Sequence, residues 1–320
     1  MYTVKDKRIV LFGGTGFLGR ELATRLYRRG AYVTIAARHP ERCRELMVLP
    51  RVRAIQGDVR DAAFVGRALA GQDAAVNLVG LLTAPPKILR AVHVDWPARL
   101  AESGRGLQRL VHVSACNADA QGPSRYLATK GEGEERIRRS EAPWSIVAPS
   151  LVFGPGDSFF RKFATLLKLA PLAMPVVRPR TRFTPVYVGD VAEAIVRTLA
   201  RPDLAGKRLA LGGPEEWTMR DVLVYLRRIM GLKKFLIDLP DPLAKLQGAV
   251  MGMLPGEPFS LEQFRTLSVD ACADTDALRD LKIEPEAVEG VVPLYLGDQR
   301  RQAQYDRYRH RSSGAPTPTP

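Results

Sequence analysis

The chain has 320 residues, 46% hydrophobic and 26% charged, with a formal net charge of +14. This ordinary composition and length exclude a chain that is disordered throughout, and no apolar stretch approaches the roughly 20 residues that a membrane-spanning helix requires. The basic balance favours an acidic partner, namely anionic lipid, nucleic acid or an acidic protein surface, and the alternative is a solvated basic surface with no specific partner.

The first half of the chain alternates short β-branched segments with helical patterns, which is typical of βαβ units and a parallel sheet. Strands are predicted at Arg8–Phe12, Tyr32–Ala36, Arg53–Gln56, Ala74–Val79, Leu110–Val113 and Ser145–Ala148. Helices are predicted at Phe17–Arg29, after a cap at Asp61, at Pro97–Ser103 and at Tyr126–Arg139. This order predicts an α/β fold with a Rossmann-type, doubly wound parallel sheet over residues 1–150.

Past Val152, prolines and glycines cluster and the elements become irregular. Asp190 is predicted to cap a helix at Val191–Ala200, and Thr218 another at Met219–Met230. A third apolar, helix-like segment runs from Pro242 to Leu254. We therefore predict a smaller α/β lobe of substrate type over residues 151–310, laid over the carboxyl edge of the sheet. Residues 311–320 are polar and proline-rich and are predicted to form a disordered tail.

A glycine-rich turn, Gly13-Gly14-Thr15-Gly16-Phe17-Leu18-Gly19, lies between the first strand and the first helix. In this position the Gly13-x-x-Gly16-x-x-Gly19 spacing gives a tight turn, a close backbone approach to a pyrophosphate and close packing of helix on strand. The helix N-terminus supplies amide donors and a favourable dipole. The turn therefore predicts a dinucleotide site, and a simple tight turn is the alternative.

The end of the second strand bears on the choice of cofactor. Dinucleotide-binding proteins that use NAD usually place an acid there to accept from the ribose 2′-hydroxyl. Here the strand is followed by Arg38 with Arg42 close behind, and Arg38 can pair with a 2′-phosphate. We therefore predict NADP(H) over NAD(H), with a solvated arginine as the alternative. Asp58 follows the third strand and is predicted either to meet the adenine amino group or only to cap its loop.

Tyr126 and Lys130 are four residues apart on one face of a predicted helix. The lysine can hold the nicotinamide ribose and lower the pKa of the phenol, so that tyrosinate becomes a proton acceptor during hydride transfer. Three scattered cysteines, Cys43, Cys116 and Cys272, have no metal-ligand or CxxC spacing, so neither a metal site nor a disulfide framework is predicted.

With these motifs in place, residues 7–300 resemble an extended, or atypical, short-chain dehydrogenase/reductase. Within that superfamily the chain is most similar to the NADPH-binding accessory subunit of respiratory complex I (NADH:ubiquinone oxidoreductase) and its bacterial relatives. The stretches that carry the resemblance are Gly57-Asp58-Val59, Asn77-Leu78-Val79-Gly80, His112-Val113-Ser114 with Asn117-Ala118, Ser124 to Lys130 with Gly133-Glu134, Ala148 to Gly154, and Leu261 to Arg265 near Asp270. In that subfamily NADPH is held tightly and serves structure more than turnover.

The resemblance implies a set of site residues. Predicted cofactor contacts are Gly13, Thr15, Gly16, Phe17, Leu18, Gly19, Arg38, Asp58, Val59, Val79, Gly80, Ser114, Tyr126, Lys130 and Pro149. The catalytic set would be Tyr126, Lys130 and Ser114. However, the position that aligns with the family's carbonyl-polarising hydroxyl is Cys116, a poor hydrogen-bond donor. Ser114 comes directly after the strand, and it either substitutes for that carbonyl-polarising hydroxyl or only caps the end of the strand.

Three functions follow from these observations. The first is a non-turnover NADP(H)-binding subunit of complex I, which has the other subunits as partners and lies at the inner face of a bacterial cytoplasmic membrane. The second is an active NADP-dependent reductase or epimerase acting on a small carbonyl, isoprenoid or quinone-like substrate. The third, a nucleic-acid-binding regulator, accounts only for the charge, and the sequence lacks a basic helix interleaved with aromatics, so no nucleic acid is expected.

Residues 159–182 contain aromatic and leucine residues flanked by arginine and lysine on both sides. Such a segment is typical of an interfacial contact, because cations meet lipid phosphates while apolar side chains enter the acyl boundary. An anionic membrane surface is therefore a predicted partner, and the alternative is a lid over the substrate cleft. No signal peptide is predicted at the N-terminus, because the first residues lead directly into an apolar strand.

Overall fold

The fold centres on a seven-stranded sheet whose neighbouring strands are all parallel. The computed structural model describes residues 3–240, 242 and 261–297. The strands are β1 Arg8–Phe12, β2 Tyr32–Ala37, β3 Val52–Gln56, β4 Ala74–Asn77, β5 Arg109–Val113, β6 Trp144–Pro149, β7 Val152–Phe153, β8 Ala173–Val176, β9 Arg182–Phe183, β10 Val186–Tyr187, β11 Lys207–Leu211, β12 Trp217–Thr218 and β13 Phe235–Asp238. The sheet order is β11-β6-β5-β4-β1-β2-β3, which confirms the predicted doubly wound Rossmann-type fold.

Helices cover both faces of this sheet. They are α1 Phe17–Arg28, α2 Ala62–Leu69, α3 Pro86–Arg90, α4 Trp96–Ser103, α5 Arg125–Arg138, α6 Phe159–Leu169, α7 Val188–Ala200, α8 Met219–Ile229, α9 Leu261–Thr266, α10 Asp276–Asp280 and α11 Val288–Leu296. Alternate residues of β1 face opposite layers: Leu11 packs in the core with α1 and α7, whereas Phe12 packs in the core with α2, α4 and α5. Burial on both faces explains why β1 is continuously apolar in sequence.

The second half of the chain contributes to the sheet as well as to a smaller layer. Strand β11 pairs with β6 at the sheet edge, and α7 packs against α1. The remaining elements enclose a separate apolar cluster that includes Phe153, Phe160, Leu167 and Leu226. We call α6, α8, β8 and β13 the small lobe. No helix among residues 3–240, 242 and 261–297 is long and apolar enough to span a bilayer.

Two of the three predicted caps are confirmed. The Asp61 carboxylate accepts from the Ala63 amide, and Thr218 and Asp221 form a capping box at the start of α8. The prediction for Asp190 is wrong, because α7 begins at Val188, three residues before the predicted start at Val191, so that Asp190 lies inside the helix. The buried Asp190 carboxylate instead accepts from the Glu286 amide at 2.8 Å. The predicted helix from residue 242 to residue 254 lies outside the described residues after its first position, as does the predicted tail at 311–320.

The predicted interfacial segment is folded differently from the expectation. Helix α6 turns its aromatic residues inward: Phe160 is fully buried, and the Phe159 and Phe183 ring centroids are 5.8 Å apart. Lys162 is half-buried and donates to the side-chain oxygen of Gln263 at 3.1 Å. The prediction that these aromatics enter an acyl boundary is therefore wrong, because they form the core of the small lobe.

Candidate functional site

The glycine turn follows β1 and leads into α1. Gly13 has a φ of 83°, a conformation that glycine tolerates, and its amide donates to the Ala36 carbonyl at 3.3 Å. A Cβ on Gly13 would lie 3.1 Å from the carbonyl carbon of Leu78, so the turn passes close to the end of β4. No side chain caps α1 at Gly16. The first amides of α1 therefore remain donors for an anion.

Close packing of α1 on the turn depends on Gly19. A Cβ on this residue would lie 2.6 Å from the Cα of Gly14, which leaves no room for a side chain.

Arg20, which the sequence reasoning missed, donates through Nε to the Thr15 carbonyl at 3.1 Å and forms an ion pair with Glu45 at 3.0 Å. It also donates to the Arg42 carbonyl. Arg20 therefore links the turn to the segment after β2, and its spacing in the sequence gave no sign of this contact.

Arg38 follows the end of β2 and is exposed. Its carbonyl accepts from the Gln56 side-chain amide at 3.2 Å, which holds the backbone of Arg38 beside the end of β3. Asp58 is engaged by Arg60, which donates through its backbone amide at 2.9 Å and through its guanidinium at 2.7 Å. These hydrogen bonds with Arg60 lower the pKa of Asp58. Asp58 therefore makes the loop-capping contact that was the alternative prediction, and a contact between Asp58 and adenine stays a prediction.

The end of β4 is fixed by a buried polar network. The side-chain oxygen of Asn77 accepts from the Trp96 indole at 2.9 Å and from the Val79 amide at 3.1 Å. Its amide nitrogen lies 3.0 Å from Nδ1 of His112.

His93 Nε2 accepts from the amide of Leu81 at 3.0 Å, which anchors the loop after Gly80. Burial and, secondarily, the charge of Lys130 lower the pKa of His93 to about 3, so the ring is neutral and can accept this bond.

Tyr126 and Lys130 both lie on α5, as predicted, but their electrostatics differ from the expectation. The Lys130 ammonium donates to the Val113 carbonyl at 2.7 Å, and burial lowers its pKa to about 8. Burial, followed by the neighbouring Cys116, raises the pKa of Tyr126 to about 12. The prediction that Lys130 lowers the Tyr126 pKa is therefore wrong for this arrangement. The Tyr126 ring meets the edge of His93 with centroids 5.7 Å apart.

The loop after β5 carries Ser114 and Cys116. Burial raises the pKa of the Cys116 thiol to about 11, which keeps it protonated and a weak donor. Arg208, on β11, donates to the carbonyls of Ala115 and Cys116, each at 3.0 Å, and to the Glu134 carboxylate at 2.9 Å. This clamp between β11 and α5 holds the loop in place. Its members are far apart in sequence, so the sequence reasoning missed it.

Two buried polar atoms beside this loop have no hydrogen-bond partner within the described part of the chain, namely Ser114 Oγ and His112 Nε2. Desolvation of such atoms is costly, so they mark a place where a polar group of a ligand can bind. The predicted residues follow strands whose carboxyl ends meet at one edge of the sheet, and Pro149 ends β6 at that edge. With the glycine turn at one end and Ser114 and Lys130 at the other, the residues present fit a nicotinamide dinucleotide.

Comparisons with known proteins identify related sequences. A family model described as NAD(P)H-binding matches residues 13–160. Over 298 residues, 87% of this chain and 77% of the relative, the chain is 30% identical to the mouse (Mus musculus) NADH dehydrogenase (ubiquinone) 1 alpha subcomplex subunit 9, mitochondrial.

Two further matches lie outside the respiratory relatives. A ceramide reductase of Caulobacter vibrioides is 28% identical over 249 residues, 76% of this chain and 77% of the relative. Among solved structures, the epimerase Mth375 of Methanothermobacter thermautotrophicus superposes with a TM-score of 0.72 at 16% identity, covering 92% of this chain and 91% of the other; this match shows the fold alone. The chain belongs to the atypical short-chain dehydrogenase/reductase family that includes the alpha subcomplex subunit 9 of NADH dehydrogenase (ubiquinone), and the NAD(P)H-binding match supports a nicotinamide dinucleotide as its cofactor.

Proposed function

We propose that this chain is an NADP(H)-binding accessory subunit of respiratory complex I, in which the bound dinucleotide stabilises the subunit more than it turns over. Its partners would be the other subunits of the complex, at the inner face of a bacterial cytoplasmic membrane. The observation that carries the proposal is the state of the Tyr126–Lys130 pair. The Lys130 ammonium is hydrogen-bonded to the Val113 carbonyl, and burial raises the pKa of Tyr126 to about 12, so this phenol is a weaker proton donor to a carbonyl oxygen than an ordinary tyrosine.

The preference for NADP(H) is supported by the surroundings of Arg38. This residue is exposed at the end of β2, and the nearby Asp58 carboxylate is bound by Arg60 rather than free to accept from a ribose hydroxyl. Arg20 also brings the segment that contains Arg42 toward the glycine turn. A 2′-phosphate is recognised by such arginines through charge-assisted hydrogen bonds, whereas a 2′-hydroxyl is not.

A second candidate is an active NADP-dependent reductase or epimerase on a carbonyl, isoprenoid or quinone-like substrate. A dinucleotide supplies or accepts a hydride in such a reaction, and the protein must handle a proton at the substrate oxygen. The retained Tyr126 and Lys130 favour this function. The buried hydroxyl of Ser114 also favours it, because it has no hydrogen-bond partner among the described residues and could donate to a substrate carbonyl. A relative named ceramide reductase adds support.

One experiment separates the two candidates. The protein is purified, passed through gel filtration, and analysed for bound dinucleotide; the same preparation is then tested for NADPH oxidation with carbonyl and quinone substrates. The accessory function predicts retained NADP(H), no substrate-dependent oxidation, and copurification of the tagged chain with a membrane-bound respiratory complex. Tyr126→Phe should leave retention and copurification unchanged. Robust NADPH oxidation that Tyr126→Phe abolishes would instead establish the reductase.

A further inference from the structure

An exposed apolar edge lies on the small lobe, at the pair of strands β8 and β13. Its members are Leu169 (75% exposed), Leu172 (74%), Phe235 (72%) and Ile237 (54%). Large aliphatic and aromatic side chains with this much exposure, gathered in one place, mark an interaction surface rather than ordinary scatter. We call these four residues the apolar edge.

Backbone geometry brings the four residues together. Strand β13 runs parallel to β8, and the Phe235 amide donates to the Leu172 carbonyl at 2.9 Å. Phe235 and Ile237 are two residues apart on one strand, so they share a face of this small sheet. Leu169 ends α6 three residues before Leu172. Leu169 also lines an apolar cavity of about 280 Å³ beneath β8, so the apolar surface continues inward from the edge.

The two segments that carry the apolar edge are rich in cations and poor in acids. Residues 159–182 contain six Lys or Arg and no Asp or Glu, and residues 219–238 contain five Lys or Arg and two Asp. Both acids are already engaged, since Asp221 caps α8 and Asp238 forms an ion pair with Arg220. Lys168 and Lys233 are exposed next to the edge. Lys234 is not counted with these two lysines, because its ammonium donates to the carbonyls of Ala170 and Pro171.

We propose that the apolar edge docks the protein on an anionic phospholipid bilayer, with Leu169, Leu172 and Phe235 entering the acyl boundary and Lys168 and Lys233 meeting lipid phosphates. Apolar side chains beside exposed cations are what an interfacial contact requires. An acidic protein would satisfy the cations, but it would leave four exposed apolar side chains without a matching environment unless it presented an apolar patch of its own. The proposal does not depend on whether the bound dinucleotide turns over.

The test uses the full chain loaded with NADPH and vesicles of phosphatidylcholine, either alone or with phosphatidylglycerol, in flotation experiments. We expect binding to the anionic vesicles at low salt, its loss at high salt, and no binding to phosphatidylcholine alone. The variant Lys168→Glu/Lys233→Glu should weaken partitioning at least tenfold, since each cation near an anionic surface contributes about fivefold. Leu172→Ser/Phe235→Ser should weaken it comparably at unchanged charge.

The matched control is Arg28→Glu/Arg67→Glu, which makes the same change of net charge at exposed positions of α1 and α2. This control should reduce partitioning less than threefold. Unchanged thermal melting and NADPH affinity in all variants would show that they fold. Absence of wild-type binding to anionic vesicles at low salt, an equal loss in the control, or binding that survives both edge variants would each overturn the proposal.

Discussion

The dinucleotide site depends most sharply on Gly19, which leads to a prediction with a calculable size. In Gly19→Ala the new Cβ would lie 2.6 Å from Cα and 2.7 Å from the carbonyl carbon of Gly14. Because carbon atoms prefer separations of about 3.5–4.0 Å, α1 and the turn must separate by about 1 Å. Overpacking of this kind costs about 1–3 kcal/mol, and removing a helical glycine regains about 0.5–1 kcal/mol. The two ranges together give a net loss of up to about 2.5 kcal/mol in the free energy of unfolding, with a central value of about 1 kcal/mol.

The same displacement moves the amides at the start of α1, so the affinity for NADPH should fall at least tenfold, since a hydrogen bond to a charged group contributes about 1.5–3 kcal/mol. Thermal melting and fluorescence titration with NADPH measure the two effects separately. Gly66→Ala is the control, because among the described residues no atom outside the local helix backbone lies within 4 Å of its Cβ position in α2, and it should be neutral or slightly stabilising. A Gly19→Ala protein that melts and binds NADPH like the wild type would refute the packing argument.

Three further predictions follow from single residues. Arg38→Asp should reverse the order of affinity for NADP(H) and NAD(H), measured by titrating both dinucleotides. An unchanged order would show that Arg38 does not determine the preference between them. Burial raises the pKa of Asp190 from 3.8 to about 6, so the folded chain binds this proton more tightly than the unfolded chain, and stability should fall as pH rises from about 4 through 6. Asp190→Asn, which keeps an acceptor for the Glu286 amide, should flatten that dependence in melts across this pH range; the same slope in both proteins would contradict the assignment. Glu134→Gln should lower the free energy of unfolding by about 1–3 kcal/mol in urea titrations. This is less than the loss of a fully buried ion pair would cost, because the partner Arg208 is partly exposed. A loss below about 0.5 kcal/mol would show that the clamp is not needed for stability.

The sequence was sufficient for the Rossmann half because local signals there agree with one another. Residues 9–12 are apolar on both faces, Gly30 has a φ of 80° just after α1, and the glycine turn lies between strand and helix. The predicted boundaries fall within about two residues of the observed ones, as hydrophobic periodicity and caps allow. The return of β11 to the same sheet had no such local signal, because pairing with β6 depends on contacts more than 50 residues apart along the chain.

The candidate site was predicted less completely, since its electrostatics come from tertiary contacts. The i, i+4 spacing placed Tyr126 and Lys130 on one helix, but it could not show that Lys130 reaches the Val113 carbonyl across the layer. Likewise, Asp190 has the residue type of a cap, whereas the hydrogen bond it accepts from Glu286 comes from 96 positions away. Residue type and spacing indicate which groups are present, and packing decides which partner each group meets.

The acidity of the Tyr126 phenol is where the two candidate functions diverge, because a carbonyl reductase must supply a proton to the substrate oxygen. A phenol with a pKa of about 12 is ionised in about one molecule in 100,000 at pH 7, about a hundredfold less than an ordinary tyrosine. Lowering that pKa would require the Lys130 ammonium to leave the Val113 carbonyl and approach the phenol, at the cost of a buried charge-assisted hydrogen bond. A chain that keeps Lys130 on the Val113 carbonyl therefore leaves Tyr126 a weaker proton donor than an ordinary tyrosine. Under the accessory-subunit proposal, holding the dinucleotide needs no rearrangement of this pair, whereas the reductase alternative would gain from a substrate that draws Lys130 toward the phenol.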